Sequence, residues 1–259
     1  MEKQRNVSAE ESAFRIRLAD RVIDVRPLHD GVRYLCRDYI VPADGTPADF
    51  AVQVTEEALA WEDRTAREQA DRTGDWVNIA PAYLETLTVY RKIASAMPVY
   101  DTFLMHGSVI STAGEGYMIC APSGVGKTTR TKLWVDGIPD SFIVNGDKPL
   151  VRVTAEGVTA FGTPWCGKEG WNANCSVPLR AVYLLERGEN EISEISFADA
   201  FPSLLRQTFM PRDPEERRQV LRLLTNLSGK VRIFRFRSRP DMAAVQMAWE
   251  AAGGRHGHL

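Results

Sequence analysis

Tyr117-Met118-Ile119-Cys120-Ala121-Pro122-Ser123-Gly124-Val125-Gly126-Lys127-Thr128-Thr129 passes from an apolar run, through a proline and two glycines, into a polar run. That order predicts a buried strand, a tight turn and a helix start. Gly124 and Gly126 permit backbone angles and close approaches that a side chain would block, so successive N–H groups can point inward at phosphate oxygens. A helix beginning near Gly126 adds unpaired N–H donors and the positive end of its dipole. Lys127 supplies a compact charge for the β- and γ-phosphates, and the Thr128 hydroxyl is placed to ligate Mg²⁺. The expected ligand is a nucleoside triphosphate, MgATP, bound by Pro122, Ser123, Gly124, Val125, Gly126, Lys127, Thr128 and Thr129. The strict motif opens on glycine; Ala121 stands there instead, a small residue where crowding is the constraint. The competing explanation is a glycine-bearing turn with an exposed lysine.

Around this stretch, strands alternate with helices. Strands are expected over Thr102–Ser111, Gly116–Ala121, Phe142–Val144, Leu150–Val153, Val158–Phe161, Ala181–Leu185 and Val231–Phe236. Helices are expected over Gly126–Val135, Phe197–Phe209, Pro214–Leu227 and Pro240–Ala251. The front part alternates in the strand period at Phe14, Ile16 and Leu18, then over Val22–Val25, Val32–Val41 and Phe50–Val54. A helix capped by Thr55 follows and runs toward Gln69, and another from Pro81 carries Leu84, Leu87, Tyr90 and Ile93 at three-residue steps. A soft boundary near residue 100 divides an N-terminal α+β region, 1–100, from an α/β core, 101–259. No Gly/Ser linker marks it, which predicts packed rather than tethered parts.

The chain of 259 residues, 44% hydrophobic and 25% charged, is of ordinary globular composition and long enough for a substantial core. A net charge of −2 gives no general attraction to nucleic acid or anionic membranes. Met1 to Glu11 is polar where an export signal needs an apolar centre, and no run is long enough to span a bilayer, so a cytoplasmic protein is expected. Cys36, Cys120, Cys166 and Cys175 form no CxxC pair; reduced thiols are expected, with Cys166 and Cys175 as packing or lining residues rather than a disulfide or zinc site. The tail Arg255–Leu259, with His256 and His258, reads as a frayed polar terminus rather than a metal site.

A second candidate group follows the strand Phe142–Val144, which delivers Asn145-Gly146-Asp147-Lys148-Pro149 to a strand end. Asp147 lies twenty residues after Lys127, room for one helix, one turn and one strand, so its carboxylate can face the loop and hold Mg²⁺. A turn-forming aspartate is the alternative. The order Met105-His106-Gly107, strand, Ser123-Gly124-Val125-Gly126-Lys127-Thr128, then a strand ending at Asp147 resembles the HPr serine kinase/phosphorylase core. That core is related in fold to ATP-dependent phosphoenolpyruvate carboxykinase. The resemblance spans about residues 100–250, counting Gly162-Thr163-Pro164-Trp165 and Arg239-Pro240-Asp241. It implies a P-loop core with a mixed sheet, preceded by the smaller α+β part, with Lys127 and Thr128 on phosphate and Mg²⁺, Asp147 in the metal site and His106 beside the reacting groups. Such proteins usually carry two adjacent aspartates at the strand end; this chain has Gly146 then Asp147. The base is therefore open between Asp147, His106 and Glu169, and a hydrogen-bonded core histidine is an equal account of His106.

Gly162–Asn174 gathers two tryptophans, two charges and three glycines, as site-lining loops often do. Lys168 is placed to neutralise charge on a transferred phosphoryl group, while Trp165 and Trp171 could stack on a ligand or plug the loop onto the core. Among the later cations Arg206 and Arg212 are the candidates for phosphate or acidic-substrate contacts. The function implied is ATP-dependent phosphotransfer to an acceptor hydroxyl. The acceptor is a serine of a protein or peptide recognised by the front part, or else a small molecule. Homo-oligomers are compatible with the chain. The rival class is a nucleotide-binding switch or scaffold without transfer; a carboxykinase would need a longer chain.

Overall fold

The structure, a computed structural model, describes residues 13–73 and 80–254. The polar N-terminal stretch Met1–Glu11 and the His-bearing tail Arg255–Leu259 lie outside the described residues. Two compact units are present, Met1–Ala96 and Met97–Leu259. No helix among the described residues is long and apolar enough to cross a membrane.

The first unit carries β1 (Phe14–Leu18), β2 (Arg21–Arg26), α1 (Gly31–Leu35), β3 (Phe50–Gln53), α2 (Glu56–Thr73) and α3 (Pro81–Ala96). Strand β2 pairs antiparallel with β1 and parallel with β3. Phe14, Ile16 and Leu18 bury one face of β1, as period-two alternation requires. The Thr55 hydroxyl accepts from the Ala58 amide at 3.3 Å and starts α2. Along α3, Leu84, Tyr90 and Ile93 are buried and Leu87 half-buried. The expected strand at Val32–Val41 is instead α1 followed by a 3₁₀ turn over Arg37–Tyr39. The buried residues there are Val32, Cys36 and Tyr39, steps of four and three, so one helical face imitates strand alternation.

The second unit contains β4 (Thr102–Leu104), β5 (Ser108–Thr112), β6 (Glu115–Cys120), α4 (Lys127–Gly137), β7 (Ser141–Asn145), β8 (Leu150–Val153), β9 (Val158–Phe161), β10 (Ser176–Arg187), β11 (Glu191–Glu194), α5 (Phe197–Gln207), α6 (Pro214–Thr225), β12 (Arg232–Ser238) and α7 (Met242–Ala251). Their strands form one nine-stranded mixed sheet. The twelve-residue β10 is its spine. The first residues of β10 pair antiparallel with β9, and beyond an irregularity at Leu179–Ala181 the strand runs parallel to both β6 and β12. Strand β5 lies antiparallel between β6 and β7, so β6, β7, β10 and β12 point the same way and end at one edge. The expected single strand Thr102–Ser111 is broken at Met105–Gly107, because β4 pairs with β8 whereas β5 pairs with β6 and β7. Strand β11, which no sequence pattern suggested, pairs antiparallel with β12.

Helices cover both faces of this sheet. Ala200 and Leu204 of α5 and Val220, Leu223 and Leu224 of α6 pack with Met118, Val182 and Leu184 on one face. Trp134 of α4 and Ala244, Val245 and Ala248 of α7 pack with Tyr117, Ile119 and Tyr183 on the other. Trp134 is fully buried, donates from its indole nitrogen to Thr112 Oγ1 at 2.9 Å, and lies with ring centroids 5.1 Å from Tyr117 and 5.7 Å from Tyr183. It fixes α4 to the sheet. Trp134→Ala is expected to lower stability by about 3–5 kcal/mol, read as a fall in the urea midpoint at constant slope. A loss under about 1 kcal/mol would mean that α4 is held by other contacts.

Candidate functional site

Strand β6 ends at Cys120, and the chain turns through Ala121–Gly126 into α4. Gly124 (φ 79°) and Gly126 (φ 106°) sit in the left-handed region, where a side chain is strained. A Cβ on Gly126 would also lie 2.2 Å from Arg130 Nη1. Two arginines brace the loop from outside. Arg187, at the end of β10, donates to the carbonyls of Gly124 and Val125, and Arg130 donates weakly to those of Val125 and Gly126. Arg130 is itself buried and anchored on Ser238, with Nη2 2.6 Å from the carbonyl oxygen. With carbonyls drawn toward the arginines, the amides of Ser123, Gly124, Gly126, Lys127, Thr128 and Thr129 donate to no described group. Such a run of unpaired amides at a helix start is an anion-binding concavity.

Beside it lies a cluster of charged side chains. Lys127 Nζ stands 2.7 Å from His106 Nε2 and 3.5 Å from Asp147 Oδ1, and His106 Nε2 is 3.0 Å from the same oxygen. The single ring nitrogen serves one neighbour at a time, accepting from Lys127 or donating to Asp147. The other oxygen, Oδ2, accepts from Lys148 Nζ at 2.6 Å. Burial alone would raise the Asp147 carboxyl, but the His106 hydrogen bond and the Lys148 charge outweigh it and hold the group well below the usual carboxylate range. Burial pulls the Lys127 ammonium downward, and the Asp147 charge opposes that pull.

The backbone around Asp147 explains its placement. Asn145 is fully buried, and its Oδ1 accepts from the amides of Asp147 (2.9 Å) and Lys148 (2.7 Å). Its Nδ2 donates to the Thr163 carbonyl (3.0 Å) and hydroxyl (3.1 Å), which ties the turn to the Gly162–Asn174 loop. The broken strand at Met105–Gly107 completes the frame: Gly107 N donates to Asp147 O at 2.9 Å and His106 N to Gln207 O at 2.6 Å. Gly146 is closed in by that loop. Its amide donates to Trp171 O, and an added Cβ would meet Cys166 O at 2.7 Å. A second carboxylate at 146 therefore does not fit without moving the loop.

Of the residues singled out by sequence, Lys127, His106 and Asp147 are brought together. The Thr128 hydroxyl, in the first turn of α4, has no partner among the described residues. Lys168 is exposed on the Gly167–Gly170 turn and pairs with no described residue, and Glu169 beside it is half-buried. Trp165 is buried as a plug, Trp171 half-buried. The four cysteines are free thiols. Lys148, Asn145, Arg130 and Arg187 were not anticipated. Lys148 and Asn145 flank Asp147 in the quoted motif and could have been read as its supports; Arg187 becomes visible only from the strand order.

Asp147 has a depressed pKa in the folded chain, so its contribution is present above the unfolded carboxylate range and is lost as pH falls through the folded value. Asp147→Asn is expected to cost about 1.5–3 kcal/mol at neutral pH, with the gap to the parent closing in strong acid. Urea midpoints across pH measure this; a gap that stays constant would deny Asp147 its ionic role.

No family model and no curated protein matches the chain. Among solved structures, it is similar to the Hpr(Ser) kinase/phosphatase from Coxiella burnetii at 11% identity, covering 60% of this chain and 99% of that one with a TM-score of 0.26. This is a distant structural likeness, too low to carry a functional argument.

Proposed function

We propose that the chain is an ATP-dependent phosphotransferase of the P-loop type, moving the γ-phosphoryl group of MgATP to an acceptor hydroxyl. The observation that carries this is the side-by-side placement of the unpaired amides of Ser123, Gly124 and Gly126 to Thr129 and the Lys127–His106–Asp147–Lys148 cluster. Amides and Lys127 suit the phosphate oxygens, and Lys148 lies close enough to the same carboxylate to shift onto a phosphoryl group. Among the described residues no three His, Cys, Asp or Glu gather into a cation cage. Mg²⁺ ordinarily needs only one or two protein oxygens beside phosphate, so the Thr128 hydroxyl and Asp147 fit it, and it would supply charge neutralisation there.

Transfer of this kind is mostly positioning and charge neutralisation, with little demand for a strong base. Asp147 is a weak proton acceptor while it holds its cations. Drawing Lys148 toward phosphate oxygens removes one of the charges that depress it, and His106 lies next to it as an alternative acceptor. A nucleotide-binding switch without transfer is the second reading. Gly146 motivates it, because the space beside its Cα is filled by Cys166 and Trp171 and leaves one carboxylate at the strand end.

Incubation with γ-labelled ATP, Mg²⁺ and cell extract, followed by mass spectrometry of the labelled species, separates the two. Label on an acceptor supports transfer, whereas tight nucleotide binding without turnover supports the switch. Lys127→Ala is expected to lower transfer at least about a hundredfold, since a charge-assisted contact to the reacting phosphate is removed. Unchanged transfer would refute the site.

A further inference from the structure

A cavity of about 150 Å³ opens beside the first residues of the loop, between the ends of β6 and β10 and the last turn of α5. Cys120, Pro122, Glu186, Ser203, Arg206 and Gln207 are on its wall. Gln207 is only 9% exposed, yet its Oε1 has no hydrogen-bond partner. The backbone carbonyl of the same residue accepts from His106 N, so the cavity adjoins the charged cluster through one residue.

The polar groups on the wall are sorted by charge. Arg206 is exposed, donates to Ser203 Oγ at 2.9 Å, and pairs with no carboxylate among the described residues. Glu186 does not neutralise it; its oxygens lie 3.7 Å from Arg235 and 3.8 Å from Arg237. Burial pushes the Cys120 thiol up to about 12, so it lines the cavity as a neutral group. A void of this size accommodates about six or seven non-hydrogen atoms, which excludes a nucleoside and admits a compact molecule. The larger cavity of the second unit, about 520 Å³, lies at the opposite end of β6 and β10, where Arg180 is already committed to Glu115 and Arg232 to Glu194.

We propose that the cavity beside the loop receives the phosphoryl acceptor, and that the acceptor is a small free hydroxy acid. Its carboxylate meets Arg206, and its hydroxyl faces the loop. This rests on the phosphotransfer reading above. In the step itself, the acceptor oxygen bonds to the γ-phosphorus while the bond from that phosphorus to the β–γ bridging oxygen breaks, its electron pair leaving with ADP. The hydroxyl proton passes to Asp147 or His106.

The test uses the full chain with magnesium and γ-labelled ATP, offering L-serine and D-glycerate against serinamide, glycerol and N-acetylserine methylamide. The two acids are expected to be labelled at least about tenfold more efficiently than the three compounds without a carboxylate. Arg206→Gln should raise KM for the acids about tenfold while leaving KM for ATP within about twofold. Equal labelling of the acids and the compounds without a carboxylate, or an Arg206→Gln enzyme that still prefers the acids, overturns the proposal. If nothing is labelled, the side-chain amide resonances of Gln207 decide. Shifts on adding L-serine or D-glycerate keep the cavity assignment and sink transfer, while resonances unmoved by either acid sink the cavity.

Discussion

Burial pulls the Lys127 ammonium downward, and the carboxylate that opposes this pull also holds Lys148. Asp147 faces Lys127 on one oxygen and Lys148 on the other, with His106 sharing the first. The arrangement sets a local field at the mouth of a loop whose unpaired amides can donate to an anion. It also explains why so many other groups are spent on one turn. Asn145 is buried whole to hold two amides and a neighbouring loop, and the β4–β5 break turns its own amides toward Asp147 and Gln207. Without that frame, Asp147 would be an ordinary turn aspartate in solvent.

The sheet explains where this happens. Four strands, β6, β7, β10 and β12, end at a common edge, and the loops leaving that edge meet there. Ligands of open α/β sheets bind outside the carboxyl ends of the strands for this reason. Strand β10 contributes twice: its middle is the parallel neighbour of β6, and its last residue, Arg187, reaches the carbonyls of the Gly124–Val125 segment. Arg130 and Ser238 brace the same segment from α4 and β12. The loop is thus positioned by three separate elements, and its geometry depends on the long-range order of the sheet.

Local periodicity made most elements legible. The β6–loop–α4 passage, α5 to α7 and the paired strands β8 and β9 follow directly from apolar patterning and punctuation by Gly and Pro. Val32, Cys36 and Tyr39 do not show their class in the same way, since a short helix with one buried face presents few residues and Cys is ambiguous between classes. The break at Met105–Gly107 was hidden because it leaves hydrophobicity intact and changes only which strands are paired. Within the site, the spacing of Lys127 and Asp147 suggested proximity, and they lie 3.5 Å apart. Arg130 and Arg187 were not legible, because their roles come from strand order and side-chain reach. The crowding at Gly146 by Cys166 and Trp171 was equally out of view, since it arises from a loop folded back from twenty residues downstream.

Every role assigned to the cluster requires that the concavity beside Lys127 receive a polyphosphate. Calorimetric titration of the folded chain with ATP and with AMP, each with magnesium, addresses this without any knowledge of an acceptor. Saturable binding of ATP with at least about a hundredfold preference over AMP is the predicted result, since the β- and γ-phosphates supply the contacts to Lys127 and the free amides. Equal affinity for the two nucleotides, or no heat from either, would contradict it.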